Sequence, residues 1–219
     1  MDSYNENIYF RYITKDKLII FLHGYKGNKD ELKFLNDYII KGRNASFLSF
    51  NYGRRNSKNE IIDINNTDEE IVAQIKNVLS VYKFKQIFLI GYSLGAAIGI
   101  RIVCKKLLKI DGIIAISVFD DFKKLLNGRK IHTINKANLC PKKLIKSVDI
   151  PIVFIHGFKD VSIPIQKGIN VYDNSNKERS LFLKINTSHY FKDRMSYRKL
   201  CTSVKTALCF LTNKLKSTK

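Results

Sequence analysis

The fold is decided by residues 86–108, QIFLIGYSLGAAIGIRIVCKKLL. The apolar run 87–90 predicts a buried strand, the five residues GYSLG a tight turn, and the small residues after them a helix that packs closely on the strand. Strand, turn and helix in this order are the context that the G-x-S-x-G pattern requires. The turn would hold Ser93 in a strained conformation with its hydroxyl above the sheet, which makes Ser93 the candidate nucleophile. The alternative is a serine that caps a helix in an ordinary turn.

Segments that predict strands recur on both sides of this stretch. Asn7–Ile13 alternates weakly, as an edge strand does, and the other segments are Lys17–His23, Ala45–Tyr52, Ile113–Phe119, Pro151–His156 and Ser180–Ile185. Helical patterns lie between or after them, at Asp30–Ile40, Ile71–Tyr82, Pro164–Tyr172 and Phe191–Leu215, and Thr67–Glu70 predicts a capping box. This alternation predicts an α/β fold in which helices cover both faces of a mostly parallel sheet of about six to seven strands. We expect a single domain over residues 1–219, with a short cap at about 120–148, where the sequence is polar and weakly periodic.

His189 and Asp160 are the candidate partners of Ser93. A serine hydroxyl is a weak nucleophile at neutral pH, so it needs a base within hydrogen-bond reach and a carboxylate that orients the base. His189 follows the last predicted strand, and Asp160 follows the strand PIVFIH by a short turn. Both therefore belong to the carboxyl edge of the sheet, where ligands bind in open α/β folds.

Other residues compete for these two roles. His23 and His156 each end a core strand in a His-Gly pair, where the ring is expected to brace the turn, and His132 lies in the predicted cap. Asp120 and Asp121, which follow the preceding strand, are the alternative carboxylates. Asp160 itself has an alternative role, as the N-cap of the helix that follows it.

Two backbone N–H groups are the candidate donors to a developing oxyanion. The N–H of Leu94 directly follows the nucleophile at the start of a helix, whose positive end favours a negative oxygen. The N–H of Tyr25 lies in the turn after the strand Lys17–His23, and Gly24 and Gly27 would let that turn approach closely. A simple tight turn without such a role is the alternative.

Four motifs occur in a familiar order: HGYKGNK at 23–29, GYSLG at 91–95, HGFKD at 156–160 and Ser188-His189. In them the chain resembles the α/β-hydrolase superfamily, and within it the small serine esterases and acyl hydrolases that are feruloyl-esterase-like, monoacylglycerol-lipase-like or dienelactone-hydrolase-like. The resemblance implies ester hydrolysis through an acyl-enzyme on Ser93, with His189 as base and then acid, Asp160 orienting it, and no metal or cofactor. Tyr92 stands where the superfamily often has His, and the short cap favours small or medium acyl groups.

The formal charge of +20 and the pI of about 9.8 raise the question of anionic partners. The lysines are dispersed without a long run, so nucleic acid is disfavoured as a partner. Compositional drift, in a chain rich in Asn, Ile, Tyr and Phe, competes with a weak contact to an anionic membrane surface. Membrane contact, which the basic tail 205–219 supports, would suit a thioesterase or lysophospholipase that acts at such a surface. A further hypothesis is a non-catalytic ligand-binding protein on the same fold.

The cysteines and the hydropathy suggest a compartment. Cys104, Cys140, Cys201 and Cys209 show no metal-type spacing, and the last two are predicted on one helical face as small core residues, as in a reducing environment. No apolar run approaches the length that spans a membrane. We therefore expect a soluble, cytoplasmic protein.

Overall fold

The structure, a computed structural model, describes residues 2–4, 6–35, 37–38, 45–58, 61, 63–64, 66–126 and 139–216. Its strands are β1 (Asp2–Tyr4), β2 (Ile8–Arg11), β3 (Lys17–Leu22), β4 (Ser46–Phe50), β5 (Gln86–Tyr92), β6 (Gly112–Ile116), β7 (Ile152–Gly157) and β8 (Ser180–Ile185). They form one sheet of eight strands in the order β1-β2-β4-β3-β5-β6-β7-β8. The pairs β1–β2 and β2–β4 are antiparallel, and every other pair is parallel.

Helices connect the parallel strands and follow the last of them. They are α1 (Thr67–Val81), α2 (Leu94–Cys104), α3 (Phe122–Leu126), α4 (Pro141–Leu144), α5 (Ile165–Tyr172) and α6 (Arg194–Lys216). Short 3₁₀ turns cover Ile145–Ser147 and Lys177–Arg179. Within the predicted helix 30–40, residues 33–35 and 37–38 are helical, while 36, 39 and 40 lie outside the described residues.

The core lies on both faces of the sheet. In β3, Leu18, Ile20 and Leu22 face one apolar cluster, while Ile19 and Phe21 face the other. Helices α1 and α2 cover the first face and α6 the second. A fully buried side chain of this size contributes about 1.5–3 kcal/mol through burial. Both faces of β3 must therefore be apolar, and its sequence is an uninterrupted hydrophobic run.

The predicted fold class is confirmed, with two local differences. The additional strand β1 is a three-residue polar segment that pairs only with β2, so it carries no apolar signal. The predicted capping box is wrong, because Thr67 is already the first helical residue and its hydroxyl donates to the Asp63 carbonyl at 3.1 Å. In a capping box the Glu70 carboxylate would accept from a backbone N–H at the start of its own helix. It accepts instead from the N–H of Gly53, in a neighbouring loop, at 2.9 Å.

The predicted cap contains α3, α4 and the first 3₁₀ turn, and its residues 127–138, with His132, lie outside the described residues. None of the four cysteines forms a disulfide; Cys140 and Cys201 are buried, but Cys209 is exposed, contrary to the prediction. Cys209 follows Cys201 by eight residues, and eight residues rotate a helix about 80° beyond two full turns. This rotation is enough to move Cys209 off a narrow buried face.

Among the described residues, no helix is both long enough and apolar enough to cross a membrane.

Candidate active site

Ser93 occupies a strained elbow between β5 and α2. Its φ of 54° and ψ of −112° lie in a sparsely populated region, which costs about 1–3 kcal/mol and is typical of functional positions. Its N–H donates to the Ile116 carbonyl at 2.8 Å, which anchors the elbow to β6. A Cβ at Gly91 would lie 2.5 Å from the Ala96 Cα, and one at Gly95 would lie 2.2 Å from the Leu22 carbonyl oxygen. Only glycine therefore fits at the two ends of the elbow.

The N-terminus of α2 begins directly at the elbow. The Ser93 carbonyl accepts hydrogen bonds from the N–H groups of Ala96 and Ala97, at 3.1 and 3.3 Å. Leu94 is the first helical residue, and the first N–H groups of a helix have no intrahelical acceptor. The Leu94 N–H therefore lies at the positive end of α2, next to the candidate nucleophile.

The Tyr25 turn follows β3, the strand next to β5 in the sheet. The Gly24 carbonyl accepts from the Gly27 N–H at 3.2 Å, and the Gly24 N–H donates to the Glu31 carboxylate at 2.6 Å. A Cβ at Gly27 would lie 2.2 Å from a Glu31 oxygen, so the carboxylate and the turn fit each other closely. Burial raises the pKa of Glu31, although the Gly24 hydrogen bond opposes that shift.

The Asp160 and His189 side chains meet in a buried hydrogen bond of 2.7 Å between Oδ2 and Nδ1. The two residues are 5% and 7% exposed. Because an ionised carboxylate can only accept, Nδ1 is the donor in this bond, and in the neutral imidazole the lone pair is then on Nε2. The second Asp160 oxygen accepts from the Ile163 N–H at 2.8 Å, which fixes the orientation of the carboxylate. The imidazole is thus held in the tautomer that a general base requires.

Tyr92, the residue before the elbow, ties the His189 loop to β5. Its hydroxyl donates to the His189 carbonyl at 2.8 Å, and the two rings lie 5.3 Å apart between centroids. Burial raises the pKa of Tyr92, so the phenol remains a neutral donor. Ser93 Oγ makes no hydrogen bond among the described residues, His189 included. Bonds between a nucleophile and its base often form only in the complex with substrate.

The alternative carboxylates are engaged elsewhere. Asp120 accepts from the Asn170 amide at 2.9 Å and pairs with the Lys167 ammonium at 3.2 Å. Burial raises the pKa of Asp120, but those two partners outweigh it and the net shift is downward. Asp121 accepts from backbone N–H groups in the first turn of α3. Of the three candidates, Asp160 is the one that contacts His189.

The remaining described histidines brace turns. His23 donates from Nδ1 to the Gly24 carbonyl at 2.8 Å, accepts from Arg55 at 3.2 Å, and stacks on Tyr52 with centroids 4.0 Å apart. His156 donates from Nε2 to the Ile163 carbonyl at 2.8 Å. Burial lowers the pKa of His23 to about 3 and also lowers that of His156. Both rings are therefore neutral and structural at physiological pH.

This burial predicts a loss of stability in acid. The pKa of His23 is about 3 in the folded protein against 6.5 for the free side chain, so the unfolded chain takes up the proton first. The stabilising contribution is complete above pH 6.5 and is lost progressively as the pH falls toward 3. At pH 4.5 we expect a loss of about 3 kcal/mol from this group in urea unfolding. His23→Gln should flatten the pH dependence. An unchanged slope in that variant, or a His23 imidazole that titrates near 6.5 by NMR in the unsubstituted protein, would contradict the prediction.

Sequence reasoning missed Tyr92 and Glu31 as parts of this site. Tyr92 had a signal in its place inside the elbow motif, where a phenol stands beside the nucleophile. Glu31 had a weaker one, an acid shortly after a glycine-rich turn. In the part of the chain that the structure describes, no three His, Cys, Asp or Glu side chains are grouped to hold a metal ion.

The mostly parallel sheet, with a strained serine elbow after β5 and an Asp–His pair after β7 and β8, defines the α/β-hydrolase class. Residues 13–135 match the sequence model of the family described as "Putative serine esterase (DUF676)". The match covers more than half of the chain, and the protein belongs to this family.

Solved structures show the same fold at low identity. An esterase from Pyrococcus furiosus, Pf2001, aligns with a TM-score of 0.77 and 16% identity over 92% of this chain and 84% of its own. Est1E from Butyrivibrio proteoclasticus with bound ferulic acid aligns with a TM-score of 0.78 and 12% identity over 94% of this chain and 95% of its own. A monoacylglycerol lipase from Paleococcus ferrophilus aligns with a TM-score of 0.66 and 14% identity over 94% of this chain and 98% of its own. No curated protein matches the sequence. Family and fold together support an ester hydrolase.

Proposed function

We propose that this protein is a serine hydrolase that cleaves carboxylic esters of small or medium acyl groups through an acyl-enzyme on Ser93. The observation that carries the proposal is the buried 2.7 Å hydrogen bond between Asp160 and His189. These residues lie on two loops at the carboxyl edge of the sheet, where Ser93 directly follows β5. A histidine held in this tautomer beside a serine elbow is the arrangement that activates a hydroxyl for attack.

Acylation begins when the Ser93 oxygen attacks the ester carbonyl carbon and His189 Nε2 takes the hydroxyl proton. The carbonyl oxygen becomes negative and accepts hydrogen bonds from the N–H groups of Leu94 and Tyr25. Each such donor is typically worth about 10²–10³ in kcat. The tetrahedral intermediate then collapses, the C–O bond to the alcohol breaks, and His189 protonates the leaving alkoxide. The acyl group remains on Ser93.

Deacylation repeats these steps with water as the nucleophile. His189 takes a proton from water, the hydroxide attacks the acyl carbon, and Ser93 leaves with the proton that His189 returns. Asp160 remains ionised and stabilises the imidazolium that forms in both halves of the cycle. Because His189 makes every proton transfer, the proposed cycle uses no metal or cofactor.

Hydrolysis of a chain-length series tests the proposal. We expect turnover of acetyl, butyryl and octanoyl p-nitrophenyl esters, with lower kcat/KM for the lauroyl ester, because the predicted cap is short. Acyl thioesters of the same lengths distinguish esterase from thioesterase. If no ester is hydrolysed above the buffer rate, the proposed activity is contradicted. A preference for the lauroyl ester would contradict the proposed acyl specificity.

A further inference from the structure

Exposed apolar side chains concentrate on the two loops that carry the Asp–His pair. We call residues 157–163, which run from the last residue of β7 past Asp160, the acid loop, and residues 186–195, which run past His189 to the first two residues of α6, the base loop. Of seven large hydrophobic residues that are exposed in the described chain, four lie on these loops: Phe158 (52%), Val161 (89%), Tyr190 (56%) and Met195 (57%). An exposed apolar cluster, unlike a single side chain, marks an interaction site.

The two loops form one surface. The Phe158 N–H donates to the Ile185 carbonyl at 3.0 Å, and the Lys159 N–H donates to the Thr187 carbonyl at 3.1 Å. A Cβ at Gly157 would lie 2.3 Å from the same Thr187 oxygen, so the backbones are in close contact. The exposed side chains of both loops therefore lie at one edge of the sheet.

Cations accompany these side chains. Lys159, Lys192 and Arg194 are exposed on the same two loops. The carboxylates there are Asp160, which is buried against His189, and Asp193, which is exposed and accepts from the Ser196 N–H. Three exposed cations therefore face one exposed carboxylate. The face is thus positive as well as apolar, on a chain whose formal charge is +20.

We propose that the acid and base loops form a docking face for an anionic lipid surface. Phe158, Val161 and Met195 would enter the boundary between headgroups and acyl chains, while the lysines and the arginine bind lipid phosphates. Protruding apolar side chains with interspersed cations are the pattern of interfacial membrane binding, which needs no spanning helix. Docking in this way places the Ser93 edge on the lipid, where esters dissolved in the bilayer reach it. This last consequence rests on the proposed function.

The apolar side chains, and not the net charge, select this face. Charge alone would attract the protein by any of its basic surfaces, including the end of α6 with Lys214 and Lys216. The other exposed hydrophobics, Ile13, Tyr38 and Val81, lie in three separate segments of the chain. Val81 is 72% exposed at the end of α1 and serves as a matched control.

Co-sedimentation with vesicles tests the docking face. We expect the protein to bind vesicles of phosphatidylglycerol and phosphatidylcholine in preference to pure phosphatidylcholine, and more weakly at high salt. The double variant Phe158→Ser/Val161→Ser should bind vesicles at least about tenfold more weakly, since both side chains lose their apolar area. The control Val81→Ser should bind like the unsubstituted protein, and all three should hydrolyse a water-soluble ester at the same rate.

Two results would overturn the docking face. Equal vesicle binding by the double variant would show attraction by charge alone. Failure of the unsubstituted protein to bind vesicles of either composition at low salt would assign the face to a protein partner instead. Ester hydrolysis separates this outcome from a failure of the proposed function: a protein that hydrolyses esters but ignores vesicles contradicts the docking face only, and one that binds vesicles without hydrolysis contradicts the proposed function only.

Discussion

Ser93→Ala is expected to abolish ester hydrolysis, with a loss of about 10⁶ in kcat, because the attacking oxygen is removed. The elbow should persist, since the glycines at its ends and the Ser93 N–H bond to Ile116 do not involve the hydroxyl. The N–H groups proposed to bind the oxyanion remain and should leave a residual acceleration of about 10³ over water. Steady-state hydrolysis of a soluble ester measures the loss. Mass spectrometry after reaction with a fluorophosphonate should find the label on Ser93.

Ser188→Ala is the matched control, since it removes a hydroxyl beside His189. That hydroxyl donates to the Tyr190 carbonyl at 3.0 Å on the exposed side of the loop. Its loss should change kcat by no more than a few fold, as is usual for surface substitutions. If Ser93→Ala is labelled as strongly as the unsubstituted protein, the nucleophile lies elsewhere.

The strands of the parallel sheet could be predicted because burial on both faces leaves a mark on every residue. In β5, residues 87–92 are all buried, and the sequence is correspondingly uninterrupted in its hydrophobicity. The antiparallel edge strand β1 has a neighbour on one side only, so its polar residues Asp2 and Ser3 match no strand pattern. Position in the sheet, more than intrinsic propensity, decides which strands a sequence reveals.

The meeting of Asp160 and His189 was predictable for a topological reason. Both follow strands whose carboxyl ends lie at one edge, and β7 and β8 are neighbours in the sheet. The hydrogen bonds from Tyr92 to the His189 carbonyl and from Gly24 to Glu31 were not predictable. Each depends on the direction of one side chain across a contact between separate segments, and no periodicity or motif spacing records that direction.

Asp160→Asn is expected to lower kcat by about 10⁴ with little change in KM. An amide presents a donor as well as an acceptor, so its NH₂ group can face the imidazole and leave the proton on Nε2. That tautomer has no lone pair toward the Ser93 hydroxyl, and the imidazolium formed later lacks its counter-charge. Steady-state kinetics on a soluble ester measure both parameters, and NMR of the imidazole nitrogens reports the tautomer.

Asp120→Asn is the control that separates the two carboxylates. Asp120 bonds to Asn170 and Lys167 and makes no contact with His189, so an amide there should leave the tautomer of His189 and kcat nearly unchanged. A large loss of kcat in Asp120→Asn together with near-normal turnover in Asp160→Asn would transfer the orienting role to Asp120. Because the same chemical change is made at two buried carboxylates on the same edge of the sheet, a difference between the variants reports the 2.7 Å contact with His189 and not the loss of a negative charge in general.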